Sequence, residues 1–264
     1  MPSPPLKQRV RASFDRAAPS YDAAAVLQRR VCERLLELLL NQPCCGATPT
    51  DVLDAGCGTG YGARLLHERW PLAQISALDF APAMLRIAKT NHFACLAADL
   101  EALPLRAASF DLWWSSLSLQ WCDPALVLRE AARVLKPKGL LAVSTLGPNT
   151  FSELREAFAS IDQQRHTLAF RPPDALGQTL RQLGFTRVEE RREKETVYYP
   201  DLKTLLRAVK AVGAHNVGEG ARQSMLGRAA WQRVEAAYER HRQAAGLPAS
   251  YDVILACAKN TEVQ

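Results

Sequence analysis

The feature that most constrains the fold is a glycine-rich segment at residues 51–60, with the sequence DVLDAGCGTG. Its first residues form a short apolar run typical of a buried strand, and we expect a helix over residues 61–69. The three glycines allow the chain to turn sharply and to approach a ligand closely, because glycine has no side chain and readily adopts positive φ. A strand, a glycine loop and a helix in this order predict a ligand site where the strand ends.

An acid follows the second predicted strand, residues 74–79. Asp79 comes about 20 residues after the loop, the spacing at which doubly wound α/β folds place a carboxylate on a ribose. The dinucleotide-binding fingerprint Gly-x-Gly-x-x-Gly would need its third glycine at position 61, one residue beyond Gly60, so the loop differs from that pattern. A third predicted strand, residues 94–98, is followed by Asp99. This order of strands and acids favours an α/β fold with a ribose-containing ligand.

The loop reads Asp-x-Gly-x-Gly-x-Gly, which resembles motif I of the class I S-adenosylmethionine (SAM) methyltransferases. FDLWWS at residues 110–115 resembles their fourth strand, whose end faces the methyl group, and RVLKPKGLL at residues 133–141 resembles the turn into their fifth strand. The resemblance implies a three-layer, Rossmann-like α/β fold with a seven-stranded sheet whose last strand is antiparallel. It also implies that SAM is the cofactor, with Asp79 at the ribose and the pair Asp99-Leu100 at the adenine. The cofactor-binding residues that we expect are Asp54, Gly56, Gly58, Gly60, Asp79, Met84, Asp99, Leu100 and Ser115.

The hydrophobic pattern divides the chain into four segments. Residues 1–45 are predicted to form an N-terminal helical arm or lid, and residues 46–199 the SAM-binding α/β core. Residues 200–250 are predicted to form a helical cap insertion, and residues 251–264 the final core strand and tail. The 48% hydrophobic content of the 264 residues is ordinary for a globular protein with a sizeable core.

Two of these segments are expected to cover the ligand site. In the arm, Pro19 should interrupt the helical pattern, so that Tyr21 lies on a bend. After a long strand over residues 185–199, we expect cap helices over residues 202–212 and 223–245. Both segments could close over a bound ligand.

Composition excludes several classes of protein. The N-terminal residues lack the apolar segment of a signal peptide, and no stretch approaches the roughly 18 apolar residues of a membrane span. The seven cysteines show neither a Cys-x-x-Cys pair for zinc nor a small-domain disulfide pattern. We therefore expect a cytoplasmic protein without a metal site. The role of Cys44 and Cys45, adjacent in a predicted loop, stays open.

The net charge of +6 is concentrated outside the predicted core. Residues 1–34 contain seven Lys or Arg and three acids, and residues 200–250 contain eight and four. A solvated surface explains such a pattern, but basic segments that flank a substrate entrance would also steer an acidic partner. Nucleic acid and an acidic carrier protein both fit.

Further segments carry a narrower resemblance that covers nearly the whole chain. They are an N-terminal Arg-x-x-Phe, Tyr21-Asp22, WSSLSLQWC at 114–122, TLG at 145–147, FRPPD at 170–174 and LRAVKAVGAHN at 206–216. Together they resemble the malonyl-acyl carrier protein O-methyltransferases of biotin synthesis, the BioC family. The resemblance implies methyl transfer to the free carboxylate of a malonyl thioester on acyl carrier protein, giving the malonyl methyl ester that starts pimeloyl synthesis.

The implied reaction agrees with the residue types present. A malonyl carboxylate is already ionised at pH 7, since such acids titrate near 4 or below, so no general base is required. The five histidines are scattered, and each is expected at the surface. Catalysis would come from holding carboxylate, methyl carbon and sulfur in line and from excluding water. The predicted catalytic residues are Tyr21, Gln120 and Trp121, and the predicted substrate or partner residues are Phe170, Arg171, Lys203, Arg207, Lys210 and Asn216.

Alternative functions share part of this evidence. Other small-molecule carboxyl or quinone-type methyltransferases would carry the same SAM motifs, although a C-methyltransferase of the quinone type needs a base that we do not find. An RNA methyltransferase would use the basic excess, but no basic stretch is interleaved with aromatic residues for base stacking. We therefore expect an acidic acyl carrier protein as partner, with no nucleic acid, no membrane and a monomeric enzyme. Coenzyme A stays open as a second carrier.

Overall fold

A computed structural model describes residues 6–42, 48–159, 161, 164–172, 174–214 and 227–261. Cys44, Cys45 and Asn216 lie outside these residues. The described chain contains one seven-stranded sheet in the order β3-β2-β1-β4-β5-β7-β6. Strands β1 to β5 pair in parallel, and β7 is antiparallel to both of its neighbours, which confirms the predicted fold class. The strands are β1 Asp51–Ala55, β2 Gln74–Asp79, β3 Ala94–Ala97, β4 Phe110–Ser116, β5 Leu135–Leu146, β6 Thr186–Tyr199 and β7 Leu247–Lys259.

Helices cover both faces of the sheet and make three layers. Side chains alternate along each strand, so Val52 and Trp114 point to one core while Leu53 and Trp113 point to the other. Helices α2, α3, α6, α8 and α9 pack on the first face, and α5 and α7 on the second. The helices are α1 Leu6–Ala24, α2 Val26–Leu40, α3 Tyr61–Arg69, α4 Pro82–Ala88, α5 Pro124–Val134, α6 Ser152–Ala159, α7 Ala175–Gln182, α8 Leu202–Ala211 and α9 Arg228–Glu239.

The strand order places a crevice at the carboxyl end of β1. The chain runs from β1 outward through β2 to β3, and then returns to place β4 on the other side of β1. Open α/β sheets bind ligands where the strand order reverses in this way. The glycine loop follows β1 at this point, and the residues after β2 and β4 lie beside it. No described helix combines the length and apolarity needed to cross a bilayer.

The arm differs from the sequence-based expectation. Helix α1 continues through Pro19 to Ala24, and the break falls at Ala25, where ψ is 42°. A proline removes one helical hydrogen bond and crowds the preceding turn. Burial of the neighbouring residues Ala17 and Ala18 outweighs that cost. Tyr21 therefore lies in the last turn of α1 and not on a bend.

Three other element bounds also differ. Strand β7 begins at Leu247, earlier than the expected residue 251, because its first residues pair with the end of β6. Helix α9 ends at Glu239, short of the expected residue 245. Strand β5 begins at Leu135, inside the segment 133–141 that we expected to form the turn into it, and includes an irregular turn at Lys138, where φ is +67°.

Candidate active site

The glycine loop is fixed by backbone hydrogen bonds to β2. The amides of Gly56 and Cys57 donate to the Leu78 carbonyl at 2.7 and 2.9 Å, and the Gly58 amide donates to Asp79 Oδ2 at 2.9 Å. Gly56 has φ +82°, and a Cβ added there would lie 2.6 Å from Ser118 Cβ. Only glycine combines this conformation with so close an approach. The loop is thus closely packed between β2 and the segment after β4.

A cleft opens beside the loop with about 640 Å³ of empty space, part of it open to solvent. We call it the loop cleft. It is bounded by the arm, the loop and the residues after β2, β3 and β4. Six of the predicted cofactor residues line it: Gly56, Gly58, Asp79, Met84, Asp99 and Leu100.

The buried acids of the site can accept hydrogen bonds from a ligand. Asp79 accepts from the amides of Gly58 and Ala81, and burial raises its pKa to about 6. Burial raises the pKa of Asp54 to about 7, although a hydrogen bond from the Ala63 amide acts in the opposite direction. Asp54 Oδ2 is buried and has no hydrogen-bond partner among the described residues. An unpaired buried carboxylate oxygen is costly unless a ligand donates to it.

Asp54 faces a smaller pocket between the arm and the loop, which we call the arm pocket. Its lining includes Arg29 and Gln28 of α2, Gly58 and Tyr61. A carboxylate and a guanidinium in one pocket suit a ligand with opposite charges, such as the amino-acid end of SAM. Arg29 and Gln28 were not predicted from the sequence, because an isolated helix does not show which of its polar residues faces a loop.

Two predicted cofactor residues do not line the loop cleft or the arm pocket. The Ser115 side chain is fully buried, and its hydroxyl donates to the Ala55 carbonyl at 2.7 Å. Because side chains alternate along β4, it is the next residue, Ser116, that reaches both cavities. Gly60 begins α3 with φ +87°, and a Cβ there would lie 3.2 Å from Ala88 Cβ. The close packing of the loop on α4 explains why residue 60 is a glycine.

Helix α1 crosses the loop cleft and is tied down along its length. Lys7 Nζ lies 2.6 Å from both Asp99 Oδ2 and Glu101 Oε2. At the other end of the helix, Thr59 Oγ1 donates to Asp22 Oδ1 at 2.6 Å. Lys7, Phe14 and Tyr21 all line the cleft. They are spaced seven residues apart, which is about two helical turns, so they lie on one face of α1. This spacing could have predicted Lys7 and Phe14 as site residues from the position of Tyr21.

A second, larger cavity adjoins the loop cleft, with about 1030 Å³ of empty space including solvent. We call it the apolar cavity, because most of its lining is aliphatic or aromatic. Phe151, Leu206 and Val209 form part of its wall. Four residues line both the loop cleft and the apolar cavity: Phe14, Tyr21, Leu117 and Trp121.

The segment after β4 carries backbone strain at the junction of the two cavities. Leu117 has φ +52°, a conformation that is costly for a residue with a branched side chain. It is held by its amide, which donates to Ser144 Oγ at 3.0 Å, and by its carbonyl, which accepts from Gln120 Nε2 at 2.6 Å. Gln120 also lines the apolar cavity. Gln120 thus fixes the junction through Leu117.

Among the described residues, the polar groups of the apolar cavity include two tyrosines and His166. Tyr21 has a pKa above its ordinary value, mainly because of burial and also because of nearby acids that include Asp79 and Asp22. Burial likewise raises the pKa of Tyr251, which lines the same cavity. Both phenols therefore stay protonated at neutral pH. His166 stacks on Phe158 at 3.9 Å between ring centroids and lines the cavity, contrary to the expectation of a surface histidine.

The predicted substrate residues fall into separate groups. Phe170 lines the apolar cavity and also an outer cavity on its far side, which Arg171 lines as well. Arg171 lies 3.8 Å from Asp123 in a partly exposed ion pair. Lys203, Arg207 and Lys210 are exposed on α8. No Lys or Arg among the described residues lines the apolar cavity, and Arg171 lines the outer cavity.

The observed residues fit SAM. Hydrogen-bond acceptors at Asp79 and Asp99, an apolar wall at Met84 and Leu100, and the unpaired Asp54 oxygen suit a nucleoside joined to a zwitterionic amino acid. The seven-stranded fold, the glycine loop and these acids define a class I SAM-dependent methyltransferase.

Comparisons with known proteins agree with this class and narrow it. Residues 53–143 match the family described as a methyltransferase domain. The YcgJ protein of Bacillus subtilis has the same fold, with a TM-score of 0.59 over 88% of this chain and 99% of that chain at 17% identity. The chain is 50% identical over 97% of its length to the malonyl-[acyl-carrier protein] O-methyltransferase of Dechloromonas aromatica, of which it covers 95%. It is 47% identical over 94% of its length to the Laribacter hongkongensis protein of the same name, of which it covers 87%. The chain belongs to the malonyl-[acyl-carrier protein] O-methyltransferase family.

Proposed function

We propose that this chain methylates the free carboxylate of a malonyl thioester carried on acyl carrier protein, giving the methyl ester that starts pimeloyl synthesis for biotin. The observation that carries the proposal is the joining of an acid-lined cleft suited to SAM with an apolar cavity that no described Lys or Arg lines. Similarity to relatives of that name over nearly the whole chain supports the choice of substrate.

Each group of residues in the cofactor site has a proposed role. Asp79 would accept hydrogen bonds from the ribose, Asp99 and Leu100 would border the adenine, and Asp54 with Arg29 would hold the amino-acid end. Bound SAM supplies a methyl group made electrophilic by its positive sulfonium. The arm, tied down by Lys7 and Asp22, separates this site from water.

The chemical step needs positioning more than proton transfer. A malonyl carboxylate is ionised at neutral pH and is itself the nucleophile. Holding it in line with the methyl group contributes on the order of 7 to 11 kcal/mol to lowering the barrier. Charges that neutralise as they react do so more readily once water is excluded, and the apolar wall of the second cavity provides that exclusion.

A cavity whose described lining holds no Lys or Arg suits this chemistry. A Lys or Arg beside the carboxylate would stabilise its charge and lower its nucleophilicity, and it would repel the sulfonium. The protonated phenol of Tyr21, at the junction of the two cavities, can donate one hydrogen bond to orient the carboxylate without adding charge. We assign Tyr21 this role, and we assign Gln120 and Trp121 the shaping of the junction.

The carrier is assigned to the basic face of α8. Lys203, Arg207 and Lys210 are spaced four and three residues apart and so share one exposed face of the helix, whereas Leu206 and Val209 line the apolar cavity. A carrier bound on that face would lie close to the wall of the cavity that receives its acyl group. Acidic acyl carrier protein is the partner that this face suits.

The test is an acceptor panel with isotopically labelled SAM. Malonyl-acyl carrier protein, malonyl-coenzyme A, free malonate, aconitate and tRNA are compared, and acetyl-acyl carrier protein is the control without a carboxylate. We expect label on the malonyl carrier that mild base removes. Label only on a free acid or on tRNA, with the malonyl carrier inert, would contradict the proposal.

A further inference from the structure

The residues shared by the loop cleft and the apolar cavity form a wall at the point where the methyl group must pass. The four are Phe14 and Tyr21 of α1, and Leu117 and Trp121 after β4. Three are aromatic and none is charged. A methyl group that leaves a donor in the cleft and reaches an acceptor in the cavity must do so beside residues that line both.

Phe14 is the most constrained residue of this wall. Its ring packs edge-on against Trp121, with centroids 5.5 Å apart and planes at 87°. Phe80 contacts the same ring, with centroids 6.3 Å apart. A Cβ added to Gly213 would lie 2.9 Å from Phe14 Cδ1, so the segment after α8 also packs closely on Phe14. The ring is therefore held by three separate parts of the chain.

The chemistry of the donor explains why such a wall is aromatic. The donor is a sulfonium cation, and aromatic faces attract cations through their quadrupole. A carboxylate at the same place would neutralise the sulfonium more strongly, but it would also be a competing nucleophile. Aromatic rings stabilise the cation without offering an atom that can be methylated.

We infer that Phe14 and Trp121 form an aromatic wall that recognises the sulfonium charge and so contributes to the affinity for SAM more than to that for its neutral demethylated product. The product of transfer is the uncharged thioether S-adenosylhomocysteine, for which a cation–π attraction is absent. Removal of either ring should therefore weaken SAM binding more than product binding. The inference rests on SAM as the donor and not on the identity of the acceptor.

The test is the ratio of two affinities, measured by calorimetry without any acceptor. Phe14→Leu and Trp121→Leu should weaken SAM binding about 2- to 30-fold more than S-adenosylhomocysteine binding. Phe14→Tyr should keep the wild-type ratio. Phe93→Leu is the matched control, because Phe93 packs against His67 and lines neither cavity.

Equal weakening of both ligands in Phe14→Leu and Trp121→Leu would overturn the inference, since it would mean that the rings only fill space. If the leucine variants do not fold, fluorinated phenylalanines at position 14 keep the shape and reduce the quadrupole stepwise. We expect the ratio of SAM to S-adenosylhomocysteine affinity to fall with each added fluorine. A ratio that does not change along the fluorinated series would also overturn it.

Discussion

At the scale of single residues, the site depends on two acids that folding leaves partly protonated. Burial raises the pKa of Asp54 to about 7 and that of Asp79 to about 6. Both carboxylates are better acceptors when ionised, and Asp54 has a buried oxygen without a partner. Binding of a ligand that donates to them must therefore release protons at slightly acid pH.

The affinity for SAM should therefore increase as the pH rises. Well below pH 6 both acids are largely protonated and SAM should bind weakly; its affinity should rise with pH through the range of the two pKa values and level off about one unit above the pKa of Asp54, at about pH 8. Asp54→Asn should weaken SAM binding and remove the upper part of the rise. Calorimetry in buffers of different ionisation enthalpy measures both the affinity and the protons released. An affinity that is constant from about pH 5 to 8 would contradict the assignment.

A glycine of the loop offers a test of close packing. Gly56→Ala places a Cβ at φ +82° against Ser118, so we expect a loss of unfolding free energy of about 1–2 kcal/mol from the backbone alone and a marked loss of SAM affinity. Gly227→Ala is the matched control, because a Cβ there meets no atom of the described residues within 4 Å. Thermal unfolding and SAM titration of both variants make the comparison. Equal behaviour of the two variants would show that the loop tolerates a side chain.

At the scale of elements, the arm α1 is the part that completes the cofactor site. Its Lys7 joins Asp99 and Glu101 across the cleft, with side chains of Lys7 and Asp99 about 40% exposed, so the bridge contributes modestly. Lys7→Met should weaken SAM binding about 2- to 5-fold and leave the turnover number at saturating SAM unchanged. Lys89→Met, on an exposed turn after α4, serves as control. A loss of turnover with unchanged SAM affinity would place Lys7 in the chemical step instead.

Some elements of the chain are visible in its sequence and others are not. The bounds of β2 and α3 match their predictions, because an apolar run ending in Asp79 and a helix starting at a glycine are local signals. The predicted helix break at Pro19 was wrong, because the burial of the neighbouring alanines is a tertiary effect that the sequence does not show. Local alternation along β4 could have excluded Ser115, whereas the position of Arg29 beside the loop depends on how α2 packs and is not visible in the sequence.

At the scale of the whole molecule, the fold separates two charged surfaces from an uncharged reaction path. The acids surround the loop cleft, the basic face of α8 lies outside, and the cavity between them is apolar. Under the proposed function, electrostatics would guide the carrier to α8, and no described Lys or Arg would lie beside the carboxylate. The proposed partner surface is therefore testable separately from catalysis.

Charge reversal on α8 should affect the carrier and not the chemical step. Lys203→Glu/Arg207→Glu should raise the KM for malonyl-acyl carrier protein about tenfold or more at low salt, with the turnover number preserved, because rim charges act mainly on association. The matched control is Arg106→Glu/Arg129→Glu, which changes the same charge elsewhere on the exposed surface. Initial rates at two ionic strengths measure the effect. An equal rise in both double variants would mean that only net charge matters.

In the proposed reaction, the methyl group is transferred to a carboxylate oxygen without a general base. The most direct measurement is the carbon NMR spectrum of malonyl-acyl carrier protein after reaction with SAM that carries a labelled methyl carbon. We expect a single new resonance of an O-methyl ester, which mild base converts to methanol. A C-methyl resonance from substitution at the malonyl methylene would contradict it, because that outcome requires a base and a different nucleophile.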